Sequence, residues 1–241
     1  MKEVDMSSEH ARRVLLVTGS DVPKYQLHLV PTRFYAVLEG TDAVTWDHAV
    51  TAEAALAEDA CRDYDALVFF CFFKRLSDAA VGHLRAFIEA GGGILVVHSG
   101  LASFPETEMW AREIVGVRYH HAEAPGRPKT ISTLDVTLTI RPVTDHPICE
   151  GTDAFDLVDE AYRGLETVSP ITPLFETDHP ASDGPVAWIG PSTKNRTVVL
   201  EPGHTAGAFR HPTYCEVIRR SLAWVVRADG SPAGHASRRR G

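Results

Sequence analysis

The sequence is short of cysteine, and the cysteines it has are scattered. Cys61, Cys71, Cys149 and Cys215 are the four in 241 residues, and no two form a C-x-x-C pair. That spacing argues against a disulfide scaffold or a zinc knuckle and suits reduced thiols, so a cytoplasmic location is expected. Long apolar runs are missing as well. No stretch approaches membrane-spanning length, and Met1 to Arg13 is too polar to read as a signal peptide, so no membrane partner is expected. Nor is there a basic stripe: 24 Lys and Arg stand against 32 Asp and Glu, for a formal net charge of −8. This balance argues against a nucleic-acid partner. Arg238 to Arg240 sit in a Gly-, Ser- and Pro-containing tail. Residues 229–241 are therefore expected to be a disordered basic end, and residues 1–12 a disordered start. Internal repeats and long linkers are absent, which leaves one domain over residues 13–228.

What is present centres on Phe87-Ile-Glu-Ala-Gly-Gly-Gly-Ile-Leu-Val-Val-His98-Ser-Gly100. It reads as a helix end, a glycine turn that can take positive φ, and a short strand apolar on both sides. His98 follows at the strand's carboxyl end, where ligands bind in open α/β sheets.

The flanking chain fits that reading. Arg13 to Gly19, Ala43 to Trp46 and Asp65 to Cys71 read as further strands. Helical spacing runs loosely from Leu27 to Leu38, with Pro31 inside it. Thr51 stands as N-cap of an Ala/Glu-rich helix reaching Cys61, and Ser77 caps another that ends at Gly91. Strands alternating with helices predict a doubly wound parallel α/β sheet with helices on both faces. After Pro105 the pattern changes to an irregular, β-containing second half. Glu106 to Val115 reads as a helix, and Thr133 to Arg141 as a strand with Leu134, Val136, Leu138 and Ile140 on one side. Short β segments follow at 155–158, 172–175, 186–189 and 197–200, then a helix from Pro212 to Arg227.

The step His98-Ser-Gly100 resembles the strand–nucleophile–helix turn of class I glutamine amidotransferases, with histidine where they carry cysteine. Without a thiolate there, glutaminase chemistry has no nucleophile. Further motifs appear in order: Val17-Thr-Gly19, Leu76-Ser-Asp78, Glu89-Ala-Gly-Gly-Gly93, Val97-His-Ser-Gly100 and Asp145-His-Pro-Ile148. Asp159-Glu-Ala-Tyr162, Pro185-Val-Ala-Trp188, Pro202-Gly-His204 and His211-Pro212 complete the set. In this the chain resembles the ThuA-like family, named for trehalose utilisation, over residues 13–227. The resemblance implies a class I glutamine amidotransferase-like fold, of flavodoxin-like type, and a small-molecule sugar partner. The chain departs from the family at Thr193-Lys-Asn-Arg196, where a Gly-Lys-Gly-Arg turn is common.

The catalytic candidates are His98, His121, Glu160 and His204. His98 and His204 both follow apolar strands. His121 shares a polar loop with His120 and Glu123, so either histidine of the pair could be the functional one. Glu160 reads as an acid in an Asp-Glu-Ala-Tyr turn. Candidates for substrate binding are His28, Ser99, Tyr162 and His211, although Tyr162 also suits a half-buried aromatic and His211 a helix N-terminus. His146, before Pro147, reads as a turn residue. Two chemistries are open. A divalent metal such as zinc could sit on His98, His121 and His204, or imidazoles and a carboxylate could act directly as acid and base. The resemblance implies an enzyme of carbohydrate metabolism, and the family's association with trehalose use suggests an oxidised, 3-keto form of a glycoside. A ketone at C3 acidifies the C2 proton, so a base and an electrophile would suffice for isomerisation or for elimination of the C1 substituent. A catalytically silent amidotransferase-like binding module is the competing expectation. A homo-oligomer is compatible with all of this.

Overall fold

A strand such as Val14 to Val17, apolar on both sides, is stable only inside a sheet covered on both faces. In the structure, a computed structural model that describes residues 11–25, 29–38, 44–57 and 60–227, this segment forms β1 (Arg12–Val17). The strand starts inside the stretch expected to be unstructured. Asp65 accounts for this: its carboxylate pairs with the Arg12 guanidinium at 3.2 Å and accepts the Arg13 backbone N–H at 2.9 Å.

In chain order there follow β2 (Val44–Ala49), β3 (Ala66–Phe69), β4 (Gly93–Val97), β5 (Val117–Arg118) and β6 (Ile131–Pro142). Next come β7 (Phe155–Arg163), β8 (Glu166–Thr167), β9 (Thr172–Glu176), β10 (Pro185–Ile189) and β11 (Thr197–Leu200). The helices are α1 (Tyr35–Leu38), α2 (Ala52–Ala55), α3 (Asp78–Glu89), α4 (Ser99–Ala102) and α5 (Pro212–Val225), with a π-helical turn at Trp110–Val115. Nine strands make one sheet in the order β2-β1-β3-β4-β11-β10-β9-β6-β7, while β5 and β8 pair separately. From β2 to β11 the pairs are parallel; from β11 to β7 they are antiparallel. This is a mixed α/β fold, and the second half extends the sheet of the first. Every residue of β3, β4 and β11 is buried, so the sheet is covered on both sides at these central strands. There, α5 packs against β4 and β11, and the π-helical turn against β11.

Local chemistry explains the helix starts. The Thr51 and Ser77 hydroxyls accept from Ala54 N at 3.1 Å and Ala80 N at 3.2 Å. The helix expected to reach Cys61 stops at Ala55, however. His83 Nδ1 lies 2.7 Å from the freed Leu56 carbonyl and closes that end. Of the helix expected from Leu27, the described part is a 3₁₀ turn at Pro31–Phe34 running into α1. Only the second part of Glu106 to Val115 is helical.

Two expectations about the second half need correction. Leu134 does not face inward with Val136, Leu138 and Ile140. Thr133 pairs with Ala161 and Val136 with Asp159, so Leu134 and Asp135 together oppose Glu160. Asp135 has φ 54°, which marks the bulge. One extra residue flips the side-chain alternation, leaving Leu134 52% exposed while Leu138 and Ile140 are buried. The second correction concerns Asp159-Glu-Ala-Tyr162, which is not a turn but the carboxyl half of β7. This edge strand is covered by the chain after β11: Tyr162 N donates to Glu201 Oε1 at 3.1 Å, and Thr205 Oγ1 donates to Val158 O at 3.2 Å.

Candidate active site

β4 ends abruptly at His98, whose backbone takes φ 50° and ψ −115°. A non-glycine residue there costs roughly 1–3 kcal/mol and persists only where its surroundings enforce it. The surroundings here are tight. A Cβ on Gly203 would stand 2.9 Å from His98 Cβ, and one on Gly100 would stand 2.4 Å from the Phe69 carbonyl. Both positions need glycine, and together they hold the histidine at the strand end.

His98 Nδ1 lies 3.1 Å from the Glu201 backbone oxygen. A carbonyl only accepts, so Nδ1 carries the hydrogen and the neutral ring offers its Nε2 lone pair. That Nε2 faces Glu160 Oε2 at 3.3 Å. The same oxygen is 3.2 Å from His204 Nδ1 and accepts from the Tyr162 hydroxyl at 3.2 Å. One carboxylate oxygen is therefore shared by two imidazoles and a phenol.

The bulge in β6 stands directly across from Glu160, while Ser132 pairs with Tyr162. Because side chains alternate across a strand, this register sets Ser132, Glu160 and Tyr162 on one face and the buried Asp159 on the other. Asp159 Oδ1 accepts from Glu160 N at 2.7 Å and His204 N at 2.9 Å, and its Oδ2 from Thr205 N at 3.3 Å and Thr205 Oγ1 at 3.2 Å. It clamps the loop bearing His204 onto the strand bearing Glu160.

These environments drive the two histidines apart. Burial pushes the His98 pKa down, against the pull of Asp159 and Glu160. The hydrogen bond to Glu160 pushes the His204 pKa up and outweighs its burial. Burial raises Glu160 itself, but the His204 hydrogen bond and the His98 charge bring the net shift below the usual carboxylate range. Glu201, fully buried, is pushed well up by desolvation, and its Oε2 has no hydrogen-bond partner among the described residues.

His98, Glu160 and His204 line a cavity of about 100 Å³, together with Ser99, Tyr162, His121, Tyr119 and several apolar side chains. Ser99 Oγ is buried in that region without a hydrogen-bond partner among the described residues. Among the described residues, His98, Glu160 and His204 each offer one atom within 4.8 Å of the others, a spacing that could hold a metal ion. His121 is not in that group. It lines the cavity, but its Nε2 lies 2.9 Å from the Ala102 carbonyl. His120 instead pairs with Glu166 at 2.8 Å, so of the two neighbours His121 is the one at the cavity. His211 does not line it either: its ring caps α5, accepting from Tyr214 N at 3.3 Å, and stacks on Phe155. His28 lies outside the described residues. His146 accepts from Ile148 N at 3.2 Å, as a turn residue does.

Sequence reasoning missed Asp159, Glu201, Tyr119 and Ser132. A signal existed for the two acids, since each is a carboxylate joined directly to an apolar strand segment. Tyr119 and Ser132 gave none.

The profile of the ThuA family, described as trehalose utilisation, matches residues 13–225. No curated protein matches the chain significantly. Among solved structures, a ThuA-like protein from Parabacteroides merdae aligns with a TM-score of 0.77 at 13% identity, over 90% of each chain. One from Bacteroides uniformis aligns with 0.69 at 15%, over 93% of this chain and 95% of that one. A β-galactosidase from Rahnella sp. R3 aligns with 0.58 at 10%, over 90% of this chain but 31% of its own. At these identities the likeness is one of fold.

Proposed function

The chain belongs to the ThuA trehalose-utilisation family, and from that premise we propose a carbohydrate-metabolism enzyme acting on a sugar or an oxidised 3-keto glycoside. The observation that carries the reading is the convergence of His98, His204 and Tyr162 on a single oxygen of Glu160 inside a cavity. On the same premise we place the parallel half in the class I glutamine amidotransferase-like type, with His98 at the position of the thiol.

An Nε2 lone pair facing a carboxylate oxygen leaves room for one positive charge between them. With a 3-keto glycoside, that charge is the C2 proton. His98 Nε2 takes it, and the resulting imidazolium is stabilised by Glu160. The electron pair of the C2–H bond passes to the C3 oxygen as an enolate. Its collapse forms the C1–C2 double bond and breaks the bond from C1 to the leaving oxygen. His204, whose pKa the hydrogen bond to Glu160 raises, supplies that oxygen with a proton. Isomerisation uses the same first step and returns the proton instead. The division of labour follows the rule that groups pushed to opposite pKa values make a base and an acid. Ser99 Oγ and the Tyr162 hydroxyl are the nearby partners for sugar hydroxyls.

The spacing of the three ligand atoms favours a second reading, in which His98, Glu160 and His204 would hold a divalent ion such as zinc, which would supply Lewis-acid chemistry toward the ketone. The test is turnover of native and 3-keto disaccharides by the purified protein, with and without chelator. Turnover of the keto forms that survives chelation supports direct acid–base work. Loss restored by zinc or manganese supports the metal. Binding without turnover of any of them would leave a binding module.

A further inference from the structure

The aromatic residues of the cavity are not confined to its reacting end. Ring follows ring in an unbroken series from His98 outward: Tyr162 at 5.8 Å between centroids, Tyr119 at 5.2 Å from Tyr162, His121 at 4.7 Å from Tyr119, and Phe72 at 5.4 Å from His121. All of them line the same cavity. Their burial changes along the series. Tyr162 and Phe72 are buried, Tyr119 is half-buried and His121 is exposed. Core aromatics are buried on all sides, whereas rings left partly in water on a concave wall are what a ligand ring covers.

The wall is also held in place. His121 Nε2 donates to the Ala102 carbonyl at 2.9 Å, which fixes the ring and leaves Nδ1 as an acceptor suited to a hydroxyl. Phe72 supports it edge-on. Neither His121 nor Tyr119 belongs to the group of atoms around Glu160 Oε2, so the chemistry of that group does not account for them.

We propose that Tyr119 and His121 form the subsite for the group attached at C1, and that they select substrates in which this group is itself a ring, a second sugar. The inference rests on the sugar reading above. In its terms the reacting ring lies at Glu160, and the leaving ring packs its C–H face on Tyr119 and His121.

The experiment compares wild type with His121→Leu and, separately, Tyr119→Leu. Calorimetric binding and kcat/KM are measured for a disaccharide and for the corresponding methyl glycoside, each in native and 3-keto form. Thermal melts establish that the variants fold; His121, being exposed, is the safer of the two. The expected result is a wild-type preference for the disaccharide that falls about two- to tenfold in each variant, the scale of a lost ring contact. A wild type that binds both ligands equally would overturn the subsite, as would variants that weaken both ligands in proportion or neither. Differential binding without any turnover would retain the subsite and remove the catalytic reading instead, so the two failures are distinguishable.

Discussion

His98 Nε2 lies 3.3 Å from Glu160 Oε2, although the two residues come from strands far apart in the sheet. His98 directly follows β4, in the interior of the sheet, and Glu160 lies in β7, at its edge. They meet because the chain after β11 bridges them: Glu201 holds His98 Nδ1 with its carbonyl oxygen and Tyr162 N with its side chain. The site depends on that bridge as much as on the strands.

Removing the shared oxygen tests whether it organises the chemistry. Glu160→Gln keeps the shape but loses the charge that faces both imidazoles. Turnover on the correct sugar is expected to fall by about 10²-fold or more, with a cooperative melt that shows the fold is retained. Steady-state kinetics and a thermal melt decide it; a variant with wild-type turnover would take Glu160 out of the mechanism.

The opposite tuning of the histidines has a definite sign in pH. His98 must be neutral to accept a proton, and its lowered pKa sets the acid limb of kcat/KM below the ordinary imidazole value of about 6.5. His204 must be protonated to donate, and its raised pKa sets the alkaline limb above that value. Glu160→Gln removes the main cause of the His204 shift and should move the alkaline limb down in whatever activity remains. Stability carries the same sign. The contribution of protonated His204 is fully present below about pH 6.5 and fades as pH rises through its higher folded pKa. His204→Gln should therefore destabilise most at mildly acidic pH. A denaturation series over pH that shows its largest difference on the alkaline side contradicts the assignment.

Asp159 offers a prediction about positioning. Its side chain takes four hydrogen bonds, two of them from the backbone amides of Glu160 and His204. Asp159→Ala leaves those donors buried without an acceptor and should cost about 1–3 kcal/mol or more in urea unfolding, with loss of turnover as the His204 loop shifts. A fully stable, fully active variant would show that the clamp is dispensable.

Thiol chemistry should be irrelevant. Burial pushes the Cys71 pKa up to about 12, and its sulfur lies 4.0 Å from the Ser103 hydroxyl, so no reactive thiolate stands near the site. Alkylation under native conditions is expected to leave turnover largely intact, and glutamine should yield no ammonia. Ammonia release abolished by Cys71→Ser would overturn this.

Much of the parallel half was legible in the sequence, because its strands are apolar on both sides and its helices carry caps at Thr51 and Ser77. The strand-end positions of His98 and His204 were legible for the same reason. Leu134 was not. A bulge is set by the pairing of β6 with β7, and pairing partners leave no mark in local alternation. The turn read at Asp159 to Tyr162 failed similarly, since two adjacent acids look solvated until Glu201 and the 203–205 loop supply their partners. His121 was singled out by its polar neighbours, yet its place on an aromatic wall appears only once Phe72 and Tyr119 come together around it.

The most direct measurement of the central claim is turnover of 3-keto and native disaccharides by His98→Ala and His204→Ala, alongside their thermal melts. The imidazoles stand 5.3 Å apart on one carboxylate, so each is expected to be needed for the same reaction. Both variants should fold, and each should lose at least about a hundredfold in kcat. Two folded variants that turn over sugar at the wild-type rate would contradict the shared site.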